Sequence, residues 1–242
     1  DFLESPEAAG KPPALLRGLF FRHLMRHKAL WLGEGELIVG ERGPAPRQTP
    51  TYPEICCHSL EDLRILRERP KVHFYSSPEV EATYRDRMIP FWQGRTQREQ
   101  IMNHMTPEWL SAYRAGIFTE FQEQRAPGHT VGDDKIFRLG FGNLIERIDR
   151  QLASLSETDP DYLDRSWTLQ GMRAAAEGLI LLGRRYARLL IEKARQTEDP
   201  DRRAELTRMA AICRRVPARA PRTFHEALQM YWFVHLGVVS EF

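Results

Sequence analysis

A mainly helical fold with a few short strands is what this sequence predicts, and three observations predict it. Helix-start signals recur. Ser5-Pro6-Glu7, Ser77-Pro78-Glu79 and Thr106-Pro107-Glu108 each set a hydroxyl before the helix, a proline in its first turn and a carboxylate at its positive end. Apolar residues recur at helical spacing over long stretches. Alternating β-branched runs, the mark of strands, are scarce.

In chain order, Ser5 opens a first helix. Glu36-Leu37-Ile38-Val39-Gly40, between Gly35 and the loop from Arg42 to Pro50, reads as the best strand. Ser59 and Asp62 have capping-box spacing, and Ser77 and Thr106 begin further helices. The stretch from Phe118 to Phe137, FTEFQEQRAPGHTVGDDKIF, starts as a helix end and meets Ala126-Pro127-Gly128. Proline cannot continue a helix and glycine frees the backbone, so the chain turns there. His129-Thr130-Val131 then reads as a short second strand.

Leu144, Ile145, Ile148 and Leu152 form one helical stripe. Leu179, Leu182, Tyr186, Leu189 and Leu190 form another, in a helix over residues 166–196. Asp199-Pro200-Asp201 opens the helix that carries Leu206, Met209, Ala210 and Cys213. Thr223 and Glu226 open the last, Phe224 to Val239, which is apolar nearly all round. Such a helix belongs inside a large body. Its neighbours in this chain are too few to cover it, so exposed apolar surface is expected. Residues 43–50 and 156–160 read as loops, and neither reads as a domain boundary.

The 35 basic and 33 acidic residues leave a net charge of +2, which argues for neither nucleic acid nor membrane as a partner. The doublets Arg184-Arg185 and Arg214-Arg215 read as solvated helix faces. No apolar run reaches the ~18 residues of a spanning helix, and no signal peptide is seen. Three cysteines, an odd number, fit a reducing compartment such as the cytoplasm. A first residue that is Asp and an end in an apolar run read as a piece of a longer protein.

Few residues form patterns that carry chemistry. The side chains of Cys56 and Cys57, next to His58, point apart, and no second cysteine pair completes a zinc site. The helix start at Ser59 offers these thiols weak activation, but burial is the simpler reading. His23 and His27 share a helix face without a third ligand, and Arg22 and Arg26 flank them, so no metal site is expected. His225 and His235 read as satisfied core histidines. Gly140-Phe141-Gly142 lacks the third glycine and the preceding strand of a dinucleotide loop. The turn at 125–131 remains. A histidine after a rigid turn is well placed to bond a substrate hydroxyl or carboxylate. Arg125 flanks it, and Phe121, one helical turn earlier, offers an apolar wall. From these features alone, a non-catalytic helical interaction module stays open.

Several ordered segments carry a resemblance: Gly35–Glu41, Thr51–His58, Ile89-Pro90-Phe91-Trp92, Met105–Leu110, Phe118–Val131 and Ala227–Gly237. Together they resemble the N-terminal part of the glycyl radical enzymes, relatives of pyruvate formate-lyase, in one collinear series from about residue 12 to the end. The resemblance implies a ten-stranded α/β barrel wrapped by helices, of which residues 1–242 are the N-terminal helical part. The cysteine loop and the glycyl radical domain would lie outside this chain, so no catalytic residue is expected in it. It implies that an iron–sulfur, S-adenosylmethionine-dependent activase installs the radical, that the full-length enzyme is a homodimer, and that the substrate is a small molecule. It also implies that His129, Phe121 and Arg125 line the substrate cavity. Keeping both Arg125 and His129 leans towards a dehydratase. Diol dehydration, carbon–sulfur cleavage, arylacetate decarboxylation and formate-lysis are the alternatives on the same scaffold.

Overall fold

The computed structural model describes residues 1–48, 53–117 and 133–240. These residues are mostly helical, and one isolated bridge between Ala45 and Gln48 is the extent of β pairing among them. They group into two units, which are taken separately. The first holds Asp1–Glu41 and the described part of Thr130–Gly237. The second holds the described parts of Arg42–His129 and Val238–Phe242.

In the first unit α1 is Pro13–His27. The second unit contains α2 (Leu60–Glu68), α3 (Pro78–Thr83), α4 (Ile89–Trp92), α5 (Gln97–His104) and α6 (Pro107–Arg114). A π-helical turn, Tyr84–Met88, joins α3 to α4. The first unit continues with α7 (Lys135–Arg138), α8 (Gly140–Ala153), α9 (Tyr162–Gln196), α10 (Pro200–Arg215) and α11 (Phe224–Val239), the last two residues of α11 falling in the second.

The spine of the first unit is α9, a 35-residue helix against which α1, α8 and α10 pack. Helix α1 meets it backbone to backbone. A Cβ on Gly18 would strike the Gly171 carbonyl, and one on Gly171 would strike the carbonyl of Ala14. Helix α11 adds Phe233, whose ring centroid lies 5.9 Å from that of Tyr186, and Gly237, which sits against Leu179 and Phe21. Met25, Leu182, Tyr186, Leu190, Met209, Phe233 and Leu236 are fully buried, so the predicted stripes of α9 and α10 lie in the core, while of the α8 stripe Ile148 is buried and Leu144, Ile145 and Leu152 are half-buried.

Most start signals act as read. Ser59 and Asp62 make a reciprocal capping box, and Ser77, Thr106 and Asp199 cap their helices. A second box, the buried Thr96 with the half-buried Glu99, opens α5. Thr223 accepts from the Glu226 N–H at 3.2 Å, while the Glu226 carboxylate turns aside to the Arg222 N–H and the Arg215 guanidinium.

Ser5-Pro6-Glu7 does not open a helix. The Ser5 N–H is taken by the Phe2 carbonyl, its hydroxyl stays without a bond, and turns follow until α1 begins at Pro13.

The strand expected over Glu36–Gly40 is absent as well, because side chains satisfy its backbone. The Val39 N–H donates to Gln229 Oε1 at 2.9 Å, and Gln229 Nε2 donates back to the Val39 carbonyl at 2.8 Å. His225, Arg202 and Trp232 donate to the carbonyls of Leu37, Glu36 and Gly40. Gly40 takes a φ of +128° with the Trp232 ring against its Cα, a conformation and a contact that only glycine tolerates. The second strand candidate, His129–Val131, lies outside the described residues.

Candidate functional site

The three residues expected to line a substrate cavity, Phe121, Arg125 and His129, also lie outside the described residues. What the structure places is the remaining chemistry, and most of it has a structural role.

Just before Cys56-Cys57-His58, Glu54 and Ile55 dock on the start of α5 by two backbone bonds, Gln97 N–H to the Glu54 carbonyl at 2.8 Å and Arg98 N–H to the Ile55 carbonyl at 3.0 Å. Cys57 is half-buried, and burial, with Cys56 and Glu99 adding to it, pushes its thiol up. Such a thiol is a poor nucleophile at neutral pH. Cys213 lies in the helical core, where burial pushes it up to about 12.

That shift makes a pH prediction. The folded chain keeps a thiol proton that the unfolded chain releases above about 9. Stability is therefore fully present below that value and falls as pH rises towards 12. Burial raises Tyr186 in the same direction. Urea melts between pH 8.5 and 10.5 should show a shallower fall in Cys213→Ala than in the parent, whatever the two absolute stabilities.

His23 and His27 lie against each other, tilted, with ring centroids 4.1 Å apart, and the Phe2 ring lies 4.8 Å from His23. Partial burial, then the neighbouring His27, lowers the His23 pKa. Among the described residues no three His, Cys, Asp or Glu side chains gather to hold a metal. His225 is satisfied, by the Leu37 carbonyl, but only half-buried. His235 is half-buried too and stacks against Tyr231 and Trp232, so neither is a core histidine.

Sequence reading missed the loop clamp. Gln229 is 1% exposed and makes a two-point bond to Val39. Arg185 donates to the carbonyls of Met25 and Lys28, closing the end of α1, and the buried Tyr186 hydroxyl donates to Trp31. A lone glutamine in an otherwise apolar helix was the available signal. In the same loop, a hydrogen bond to Glu36, then burial, raises Glu41, while the Glu36 carboxylate accepts from the Gly33 N–H. Residues 31–41 are thus an irregular strap whose backbone groups are held by side chains.

The sequence pattern of the pyruvate formate lyase-like family matches residues 2–242. Over 228 residues the chain is 45% identical to trans-4-hydroxy-L-proline dehydratase of Clostridioides difficile, covering 94% of this chain and 29% of that protein. Isethionate sulfite-lyase of Nitratidesulfovibrio vulgaris is 29% identical, with 97% and 30% covered. The crystal structure of the Clostridioides difficile hydroxyproline dehydratase with trans-4-hydroxy-L-proline bound superimposes with a TM-score of 0.91 and 44% identity, over 96% of this chain and 30% of that one. The chain spans about 30% of the length of these relatives.

Proposed function

The chain belongs to the pyruvate formate lyase-like family, and from that premise we propose that the whole polypeptide is a glycyl radical lyase that removes water from trans-4-hydroxy-L-proline to give a pyrroline-5-carboxylate. The observation that carries this reading is the 45% identity to a dehydratase of that name, against 29% to a relative that cleaves isethionate. The wording of residues 50–58 and the pair Arg125 and His129 support it.

On this reading, residues 1–242 supply the N-terminal helical part of the ten-stranded barrel. The cysteine loop and the glycyl radical domain stand elsewhere in the polypeptide. The described residues fit that division. Cys213 is packed between helices, and Cys57 is half-buried next to a segment docked on α5. The radical, installed by an iron–sulfur, S-adenosylmethionine-dependent activase, supplies the power to abstract hydrogen, and no residue described here takes part in that step.

This chain contributes the pocket wall. His129 donates to or accepts from the substrate hydroxyl, Phe121 packs on the ring and Arg125 pairs with the anionic end. A soluble homodimer in a reducing cytoplasm completes the proposal. No helix among the described residues is long and apolar enough to cross a membrane, and the charge balance offers nucleic acid no footprint.

The pocket assignment is tested in the activated polypeptide. His129→Ala should lower kcat/KM by about 10²-fold at unchanged radical yield, because a hydrogen bond to the departing hydroxyl strengthens in the transition state. Phe121→Ala should act mainly on KM. Unchanged kcat/KM in His129→Ala would remove His129 from the pocket.

A further inference from the structure

Two acidic side chains of the strap at 31–41 meet without a cation. The Glu36 carboxylate is fixed in place. Its Oε2 accepts from the Gly33 N–H at 2.8 Å, and its Oε1 lies so close to Gly33 that a Cβ there would strike it. The backbone carbonyl of Glu36 takes a bond from Arg202 at 2.9 Å. The half-buried Glu41 carboxyl hydrogen-bonds to that fixed carboxylate. An ionised carboxylate only accepts, so a bond between the two requires a proton, and Glu41 carries it.

The charged and titratable groups around the pair are engaged elsewhere. From α9, Arg185 donates to the carbonyls of Met25 and Lys28, and the Tyr186 hydroxyl donates to that of Trp31. From α10, Arg202 pairs with Glu205. From α11, His225 bonds the Leu37 carbonyl. Arg42, next in the chain, donates to the Val239 carbonyl. Among the described residues no ion pair reaches Glu36 or Glu41, and the charge that acts on Glu41 is that of Glu36. The hydrogen bond to Glu36, then burial, then the Glu36 charge hold the Glu41 carboxyl above the usual carboxylate range.

We infer that Glu36 and Glu41 form a proton-dependent latch: a proton between them closes the end of the strap, and its loss to water parts the two carboxylates and loosens the grip of α11 on the strap. Gly33 and Arg202 hold Glu36, so the displacement falls on Glu41 and the two residues before it. Those residues are what α11 grips. Gln229 bonds both backbone groups of Val39, and the Trp232 indole donates to the Gly40 carbonyl at 2.8 Å. The folded chain keeps the Glu41 proton to higher pH than the unfolded chain does. The latch's contribution is therefore fully present below the ordinary carboxyl pKa and is lost as pH rises through the raised one. A metal ion in place of the proton fits less well, because no third His, Cys, Asp or Glu joins the pair among the described residues.

Native-state hydrogen exchange on the whole polypeptide tests the latch, with each rate divided by that of an unstructured amide at the same pH. Protection of the Val39 amide is expected to fall about three- to tenfold between about pH 5 and about pH 8, while the Gly33 amide, held by the Glu36 carboxylate, stays protected. The Trp232 indole N–H should follow Val39. Glu41→Gln removes the need for a proton, because its amide donates to Glu36 at every pH, and should hold Val39 protection level across the range. Glu34→Gln, at an exposed position of the same strap, should leave the parent's fall in place. A level parent, or a parallel fall in the parent and Glu41→Gln, would overturn the latch. Levelling by Glu34→Gln would overturn it in favour of bulk charge, and loss of Gly33 together with Val39 in favour of opening of the whole strap. Levelling of the parent by millimolar magnesium or calcium would put a cation in the proton's place and overturn it too.

Discussion

Gln229→Leu is expected to destabilise the first unit by about 2–5 kcal/mol. Leucine fills nearly the same volume, so the loss is polar. The buried N–H and carbonyl of Val39 lose both partners at once, and each unsatisfied group costs about 1–3 kcal/mol. Urea melts measure the loss, and hydrogen exchange at Val39 locates it, since that amide should change from protected to fast. Gln229→Glu sharpens the test. A carboxylate still accepts from the Val39 N–H but cannot donate to its carbonyl unless protonated, so this variant should regain stability as pH falls. Equal stability of Gln229→Leu and the parent would mean that the strap at 31–41 does not depend on the clasp.

The second large effect lies where α1 crosses α9. Gly171→Ala puts a methyl where the Ala14 carbonyl sits, and neither helix backbone has a flexible end to move. Prising the helices apart should cost about 2–3 kcal/mol, in the upper range for overpacking. Met172→Ala, one residue on and exposed, should change stability by less than about 0.5 kcal/mol. Gly18 faces Gly171, so Gly18→Ala/Gly171→Ala should cost less than the sum of the two singles. Full additivity would show two independent contacts.

What was legible in the sequence was local. Ser59, Ser77, Thr106 and Asp199 cap helices because a cap needs only residues a few positions away. Ser5 shows the limit: it has the same neighbours, but the Phe2–Glu4 turn takes its backbone N–H first. The segment Glu36–Gly40 was misread because its composition suits a strand, whereas its partners are side chains far along the chain, Gln229 190 residues away among them. Of the arginine doublets, Arg184 and Arg214 are exposed as read, while Arg185 and Arg215 turn to backbone carbonyls, because adjacency in sequence is divergence on a helix.

The apolar character of α11 was legible in full. Phe224, Leu228 and Tyr231 remain 79%, 42% and 48% exposed along one face, as expected of a helix whose neighbours do not cover it. The proposed substrate wall, Phe121, Arg125 and His129, lies outside the described residues and rests on the wording of that stretch, since a turn followed by a histidine has no periodicity that distinguishes chemistry from a bend.

The most direct test of the central claim is one measurement: product formed from trans-4-hydroxy-L-proline by the whole polypeptide after anaerobic activation, with the glycyl radical counted in the same sample by electron paramagnetic resonance. The account predicts a radical signal and stoichiometric release of water and a pyrroline-5-carboxylate, with little turnover of isethionate, glycerol or pyruvate. A full radical signal with no conversion of hydroxyproline would contradict it.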